Sequence, residues 1–243
     1  VISVGDLIEG YTEDTQKIRQ EWDEAEGAID KLEMPFFHVV GNHDMGNDVL
    51  RRVWKARLGR DYYHFVKDGV LFIALNTEDP PSGKVDKAKL FAGVPREDLT
   101  QLFTVMQSGE AEQARFLAEK PALKKLVGAM KAGEKIAISK AQVNYVSKAL
   151  AAHRDVRWTM VFMLRPAWRV PSPEFAEIEK LLADRPYSAI AGHYHTYSHE
   201  QRHGRDYIVM GTTGGVQKAD HTNPNVMDHV MLVTMRSGGE PEM

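Results

Sequence analysis

Three times along this chain a short apolar run stops at a glycine, and polar side chains follow at once. Val1-Ile2-Ser3-Val4 runs into Gly5-Asp6, Phe36-Phe37-His38-Val39-Val40 into Gly41-Asn42-His43-Asp44, and Ala189-Ile190-Ala191 into Gly192-His193-Tyr194-His195. Such runs read as buried strands, and an open α/β sheet carries its functional groups just past the carboxyl ends of its strands. Between the first two runs, Ile18, Trp22, Ala25, Ile29 and Leu32 recur at gaps of four and three. That is one face of a helix over 12–34, with charged residues opposite and Pro35 as its stop. Strand, helix and strand in this order predict a βαβ unit with parallel strands.

Further along, Asn47 or Asp48 can cap a helix that reaches Leu58, with Val53, Trp54 and Leu58 inward. Residues 62–66 and 70–76 flank Lys67-Asp68-Gly69, a hairpin signal. Pro80-Pro81-Ser82-Gly83 breaks the pattern. Residues 84–135 are helical in composition, with one stripe of Leu99, Leu102, Phe103 and Met106 and another of Leu123, Leu126, Val127 and Met130. We read them as a helical insertion, either a lid over the site or ordinary packing. Ser139-x-x-Gln142 is a capping box opening a helix that runs to Ala152. Residues 156–163 form a strand. Ser172-Pro173 opens a helix with Phe175, Ile178, Leu181 and Leu182 on its inner face. After the 188–191 strand come 196–201, a His203-Gly204 turn, 207–210, a glycine-rich loop at 211–215 and a last strand near 229–235, all read as antiparallel. No repeat or linker divides residues 1–243, so they are expected to form one domain.

Composition narrows the function. With 243 residues the chain can bury a large core, and 43% apolar with 27% charged residues is ordinary for a globular protein. A net charge of −3 makes no electrostatic case for nucleic acid or for an anionic membrane. No apolar run is long enough to span a bilayer. The chain has no cysteine, which leaves His, Asp and Asn as the metal-capable side chains and leaves the compartment open.

The ordered blocks Gly5-Asp6, Gly41-Asn42-His43-Asp44 and Gly192-His193-Tyr194-His195 resemble the calcineurin-like metallophosphoesterases. That family's signature is Asp-x-His, Gly-Asp, Gly-Asn-His-Asp or Glu, a lone His and Gly-His-x-His. The resemblance runs from residue 1 to about the 211–215 loop, with a poorly matched middle. It implies an α/β fold, an αββα sandwich of two mixed β-sheets flanked by helices. Here that fold is expected to lack its first strand: no Asp-x-His precedes Asp6, and the chain opens inside the expected second strand like a fragment. The resemblance also implies two divalent metal ions (Mn, Fe, Zn or similar) bridged by Asp6, with Asn42 and His193 on one and His195 on the other. On an extended segment His193 and His195 face one pocket and Tyr194 faces elsewhere. His43 is the implied general acid, with Asp44 accepting its ring proton and orienting it.

Two departures bear on activity. The missing Asp-x-His removes two ligands from one metal, and Leu164 stands where the lone His should be. Either a nearby His substitutes, or one good metal suffices, or catalysis is lost. The reading that follows is a metal-dependent hydrolase of small-molecule phosphoesters. The alternative is a catalytically degenerate fold used as a protein-binding module. A nuclease or cyclic-nucleotide diesterase on the same fold draws no support from the charge balance. Arg165 can reach a phosphate, but an exposed Arg after a strand is the plainer reading. His229 can approach the site through its preceding loop, although no spacing argues for it.

Overall fold

The computed structural model describes residues 1–80, 90–105, 110–133, 136–215, 223–236 and 239–243. At its centre lies a mixed sheet of β1 (Tyr63–Lys67), β2 (Val70–Ala74), β3 (Trp158–Met163), β4 (Tyr187–Ala191), β5 (Ser198–Arg202) and β6 (Arg205–Val209), in the order β1-β2-β3-β4-β6-β5. Strands β2, β3, β4 and β6 run parallel, and β1 and β5 close the edges as antiparallel hairpin partners. Every residue of β3 and β4 is buried, as the middle of a sheet covered on both faces demands. Asp68-Gly69 makes the first hairpin turn and His203-Gly204 the second. All four residues have positive φ, as two-residue hairpin turns of this twist require. The late segment is therefore only half antiparallel, since β6 pairs with β4 in parallel.

Helices α1 (Thr15–Ile29), α2 (Asn42–Met45) and α3 (Asp48–Arg57) precede the sheet. Asp14 caps α1 by accepting from the N–H groups of Gln16 and Lys17. The helix stops at Ile29, short of Pro35, and leaves Leu32 exposed, where the periodicity put it inward. Asn47 caps α3, whose Leu50 and Trp54 join Ile18 and Trp22 of α1 in one apolar cluster. α4 (Arg96–Val105), α5 (Glu110–Glu119) and α6 (Pro121–Gly133) pack around Leu102, Leu123, Leu126 and Val127, a cluster of their own. Met106, the side chain of Phe103 and residues 81–83 lie outside the described residues. α7 (Lys140–Ala152) and α8 (Pro173–Leu182) cover one face of the sheet through Val143, Val146, Leu150, Phe175, Ile178 and Leu182. Ser139 caps α7, but the return half of the predicted box is absent. Gln142 instead exchanges two hydrogen bonds with the backbone of Asn76.

The other face is covered by extended chain. Ile2, Val4, Val39, Met231, Val233 and Met235 pack on Val70, Phe72, Met160, Phe162, Ile190 and Ile208. The strands expected over 1–4 and 36–40 are reduced to one parallel bridge between Ile2 and Phe37, made by Ser3 N–H to Phe37 O (3.0 Å) and Phe37 N–H to Val1 O (2.9 Å). Its direction is the one the βαβ reading requires. Near 229–235 alternate side chains face the sheet while Val230 and Leu232 point to solvent, each 83% exposed. This is a strand's alternation paired, among the described residues, through isolated bridges, Thr212 to Asp228 at its start and Thr234 to Glu242 near its end. Among the described residues the hydrogen-bonded ladders thus make one sheet, and the second layer consists of extended segments.

Candidate active site

The carboxyl ends of three adjacent parallel strands deliver three polar side chains to one edge. Glu78 follows β2, Arg165 follows β3 and His193 follows β4. The bridged segments of the second layer end at the same edge with Asp6 and Asn42. Gly5 marks the contact between layers: a side-chain carbon there would lie 3.0 Å from Leu164 Cβ and 3.1 Å from Gly41 Cα. The carboxylate, the amide and the paired imidazoles expected from sequence are therefore brought to one side of the molecule.

The first half of the site is built from backbone N–H groups meeting carboxylates. Asp44 is fully buried, and its oxygens accept from the N–H groups of Gly41 (2.8 Å), Asp6 (3.0 Å) and Leu7 (3.1 Å). Asp6 returns the tie by accepting from the His43 N–H (2.9 Å). Gly41 is obligatory at this crossing, because a Cβ on it would sit 2.1 Å from Asp6 Oδ1 and 2.3 Å from Asp6 N. Burial, and then the neighbouring charge of Asp6, push the Asp44 carboxyl up to about 7. The Gly41 and Asp6 N–H groups and His43 work against that rise. Asp44 is thus a brace for two loops. The expectation that it accepts the ring proton of His43 is corrected: His43 Nδ1 lies 2.6 Å from the Glu9 carbonyl. That oxygen can only accept, so Nδ1 carries a proton there. The Tyr11 ring packs on the imidazole at 4.0 Å between centroids.

Asn42 is 4% exposed. Its Nδ2 donates to the Tyr11 hydroxyl (2.9 Å), while its Oδ1 is buried without a hydrogen-bond partner. An orphaned buried acceptor costs about 1–3 kcal/mol unless a donor or cation meets it. The Tyr11 hydroxyl is held well above its ordinary range by burial and then by the Asp6 charge. Glu78 adds to the rise, and Arg165 opposes it. One phenol thus feels charges delivered by both layers.

The second half is a buried ion pair facing an imidazole. Arg165 Nε donates to Glu78 Oε1 at 2.7 Å, with the two side chains 3% and 2% exposed. Thr77 Oγ1 accepts from the Arg165 N–H (3.3 Å). The expectation of an exposed arginine is corrected: the residue turns inward because Glu78 lies at the end of the neighbouring strand. Arg165 Nη1 is 3.4 Å from His193 Nε2. Leu164 is buried beneath it, and a Cβ on Gly192 would lie 3.5 Å from Leu164 Cδ1, so an aliphatic side chain fills the floor between the two loops.

The alternation argument for the histidines fails. β4 ends at Ala191, and His193 and His195 lie in a turn with φ of 75° and 52°. Tyr194 packs on the core cluster, and the guanidinium carbon of Arg169 lies 5.7 Å from its ring. His195 lies near the glycine-rich loop, 3.7 Å from where a Cβ on Gly215 would be. Asp6 (φ 56°) and Tyr11 (φ 53°) share the left-handed conformation. For residues with a Cβ this costs roughly 1 kcal/mol each. Four such residues at one edge is the clustering of strain that accompanies functional sites.

As a metal centre, this set fits one ion better than two. The Asp6 carboxylate and the orphaned Asn42 carbonyl are oxygen donors suited to a hard divalent cation. His193 is not so presented, since the lone pair of Nε2 faces a guanidinium that can only donate. Among the described residues no three His, Cys, Asp or Glu side chains are grouped as a metal centre would need. Sequence reasoning missed Glu78 and undervalued Arg165. Both follow apolar strands but without the glycine that marked Asp6, Asn42 and His193. Tyr11 had no signal.

Compared with known proteins, the chain matches no family model and no curated protein. Among solved structures it is similar to GAP50, the anchor in the inner membrane complex of Plasmodium. Sequence identity is 16% and the TM-score 0.47, over 92% of this chain and 65% of that one. This chain thus spans 65% of the length of the structure it matches. No helix among the described residues is long and apolar enough to cross a membrane.

Proposed function

We propose that the chain hydrolyses phosphoester bonds of small molecules at the Asp6–Asn42–His43 edge, with a divalent ion held by Asp6 and Asn42. The observation that carries this reading is the buried Asn42 Oδ1 with no partner, on the residue beside the one whose N–H binds Asp6. A bound divalent ion would supply positive charge to phosphoryl oxygens and lower the pKa of a water. Asp6 and Asn42 fix where that charge sits. His43 holds a proton at Nε2 for the leaving oxygen, with its Nδ1 anchored on the Glu9 carbonyl and its face against Tyr11. Asp44 and Gly41 keep the two loops in register, so that Asp6 and Asn42 do not have to be gathered by the ion. Residues 1–243 are read as one domain on a two-layer sandwich, with 84–135 inserted.

Hydrolysis of p-nitrophenyl phosphate and of bis-p-nitrophenyl phosphate with added Mn²⁺ tests this. Asp6→Asn should lower turnover at least 100-fold, and EDTA should abolish it. A folded protein that binds Mn²⁺ and turns over neither ester overturns the reading. It would leave the alternative, a fold of this type serving as a protein-binding module. That alternative is favoured by the buried Leu164 and by the guanidinium set against His193.

A further inference from the structure

We infer that the Arg165 guanidinium is a built-in second cation of this site, occupying His193 so that the chain takes up one divalent ion and not two. The inference rests on the proposed phosphoester site and says which groups complete it. Three observations carry it. Arg165 is delivered by β3, between the strands that deliver Glu78 and His193, so it lies at the middle of the edge. It is buried, with Glu78 Oε1 accepting from its Nε (2.7 Å) and Thr77 Oγ1 from its backbone N–H (3.3 Å). Its Nη1 faces His193 Nε2 at 3.4 Å, and its charge reaches the Tyr11 hydroxyl together with that of Asp6.

The physical consequence is direct. Metal binding needs the lone pair of a neutral imidazole nitrogen, and here that lone pair faces an N–H donor that never deprotonates. A divalent ion placed on the same nitrogen would sit beside a fixed, buried positive charge, where repulsion is less screened than in open water. Removing the guanidinium would reverse both effects. It would take the guanidinium donor away from His193 Nε2 and leave the Glu78 carboxylate buried close by, and imidazole and carboxylate are two of the donor types a transition metal favours. Arg165 is thus a positioning residue for charge.

The test is Mn²⁺ bound per folded chain, by equilibrium dialysis and elemental analysis. Wild type should bind one ion. Arg165→Met should bind one more, and Arg165→Lys, which keeps the charge, should match wild type. Two ions on the wild type, or no gain in a folded Arg165→Met, overturns the inference. Because Arg165→Met removes a buried partner of Glu78 and can misfold, a second measurement uses the wild type alone. On saturation with Zn²⁺ the side-chain amide of Asn42 should shift in ¹H–¹⁵N spectra while the His193 Nε2 resonance stays at its metal-free position. A metal-ligated His193 shift overturns the inference. One ion bound without ester hydrolysis counts against the proposed activity and leaves Arg165 in this role. Two ions with hydrolysis intact does the opposite.

Discussion

The two halves of the site solve the same problem, holding charge at a sheet edge, in opposite ways. Around Asp6 and Asp44 the charges are negative and are met by backbone N–H groups from Gly41, Asp6, Leu7 and His43. Around His193 the charge is positive, on the Arg165 guanidinium, and the Glu78 carboxylate pairs with it. Backbone donors survive every substitution except proline, so the carboxylate half depends on loop geometry. The imidazole half depends on side chains, the buried Arg165–Glu78 ion pair among them. The difference teaches where each half is vulnerable.

Removing Glu78 should have the largest effect. Glu78→Ala leaves a guanidinium buried without its carboxylate and should destabilise the fold by about 3–5 kcal/mol in urea titration. The double variant Glu78→Ala, Arg165→Met should recover part of that loss. If Glu78→Ala costs under about 1 kcal/mol, the pair is not the anchor of this half. Asp44→Asn should cost less, about 2 kcal/mol. One amide oxygen cannot accept from three N–H groups, and its NH₂ would face one of them. Gly41 and Asp6 should then lose amide-exchange protection ahead of the sheet. Protection unchanged at both would separate Asp44 from the loops.

The smallest effect comes from a histidine pair outside the site. His64 Nε2 lies 3.3 Å from His153 Nε2, and His64 Nδ1 lies 2.7 Å from the Tyr145 hydroxyl. Burial, then the facing His153, then Arg60 hold the His64 pKa below its ordinary value. The unfolded chain therefore takes up this proton at higher pH than the native one. Stability is unaffected above the ordinary histidine range and falls as pH drops through about 6.5. His64→Phe should flatten that fall by a few tenths of a kcal/mol. A steeper fall in the variant would reverse the sign argued here.

Much of this was legible from the chain. Caps at Asn47 and Ser172, the Asp68-Gly69 turn and the α7, β3, α8, β4 succession follow from local chemistry, and the structure keeps them. Asp6, Asn42 and His193 could be brought together on paper because each ends an apolar run. What local pattern could not carry was partner choice. Gln142 has the spacing of a capping box yet bonds Asn76, because β2 passes within reach. Asp44 sits beside His43 in sequence yet bonds three backbone groups, because Asp6 and Leu7 arrive from another segment. The guanidinium at His193 needed three strands in register, which no single stretch encodes. The alternation rule misled at His193 and His195 because the strand had already ended.

The helices between the β2 and β3 strands carry a final consequence. Leu102, Leu123, Leu126 and Val127 bury one another and share no cluster with the sheet. Among the described residues, the apolar side chains of the sheet are buried in other clusters and do not depend on that small nucleus. The molecule can therefore yield there first, as a separate cooperative unit, while the edge bearing Asp6 stays folded.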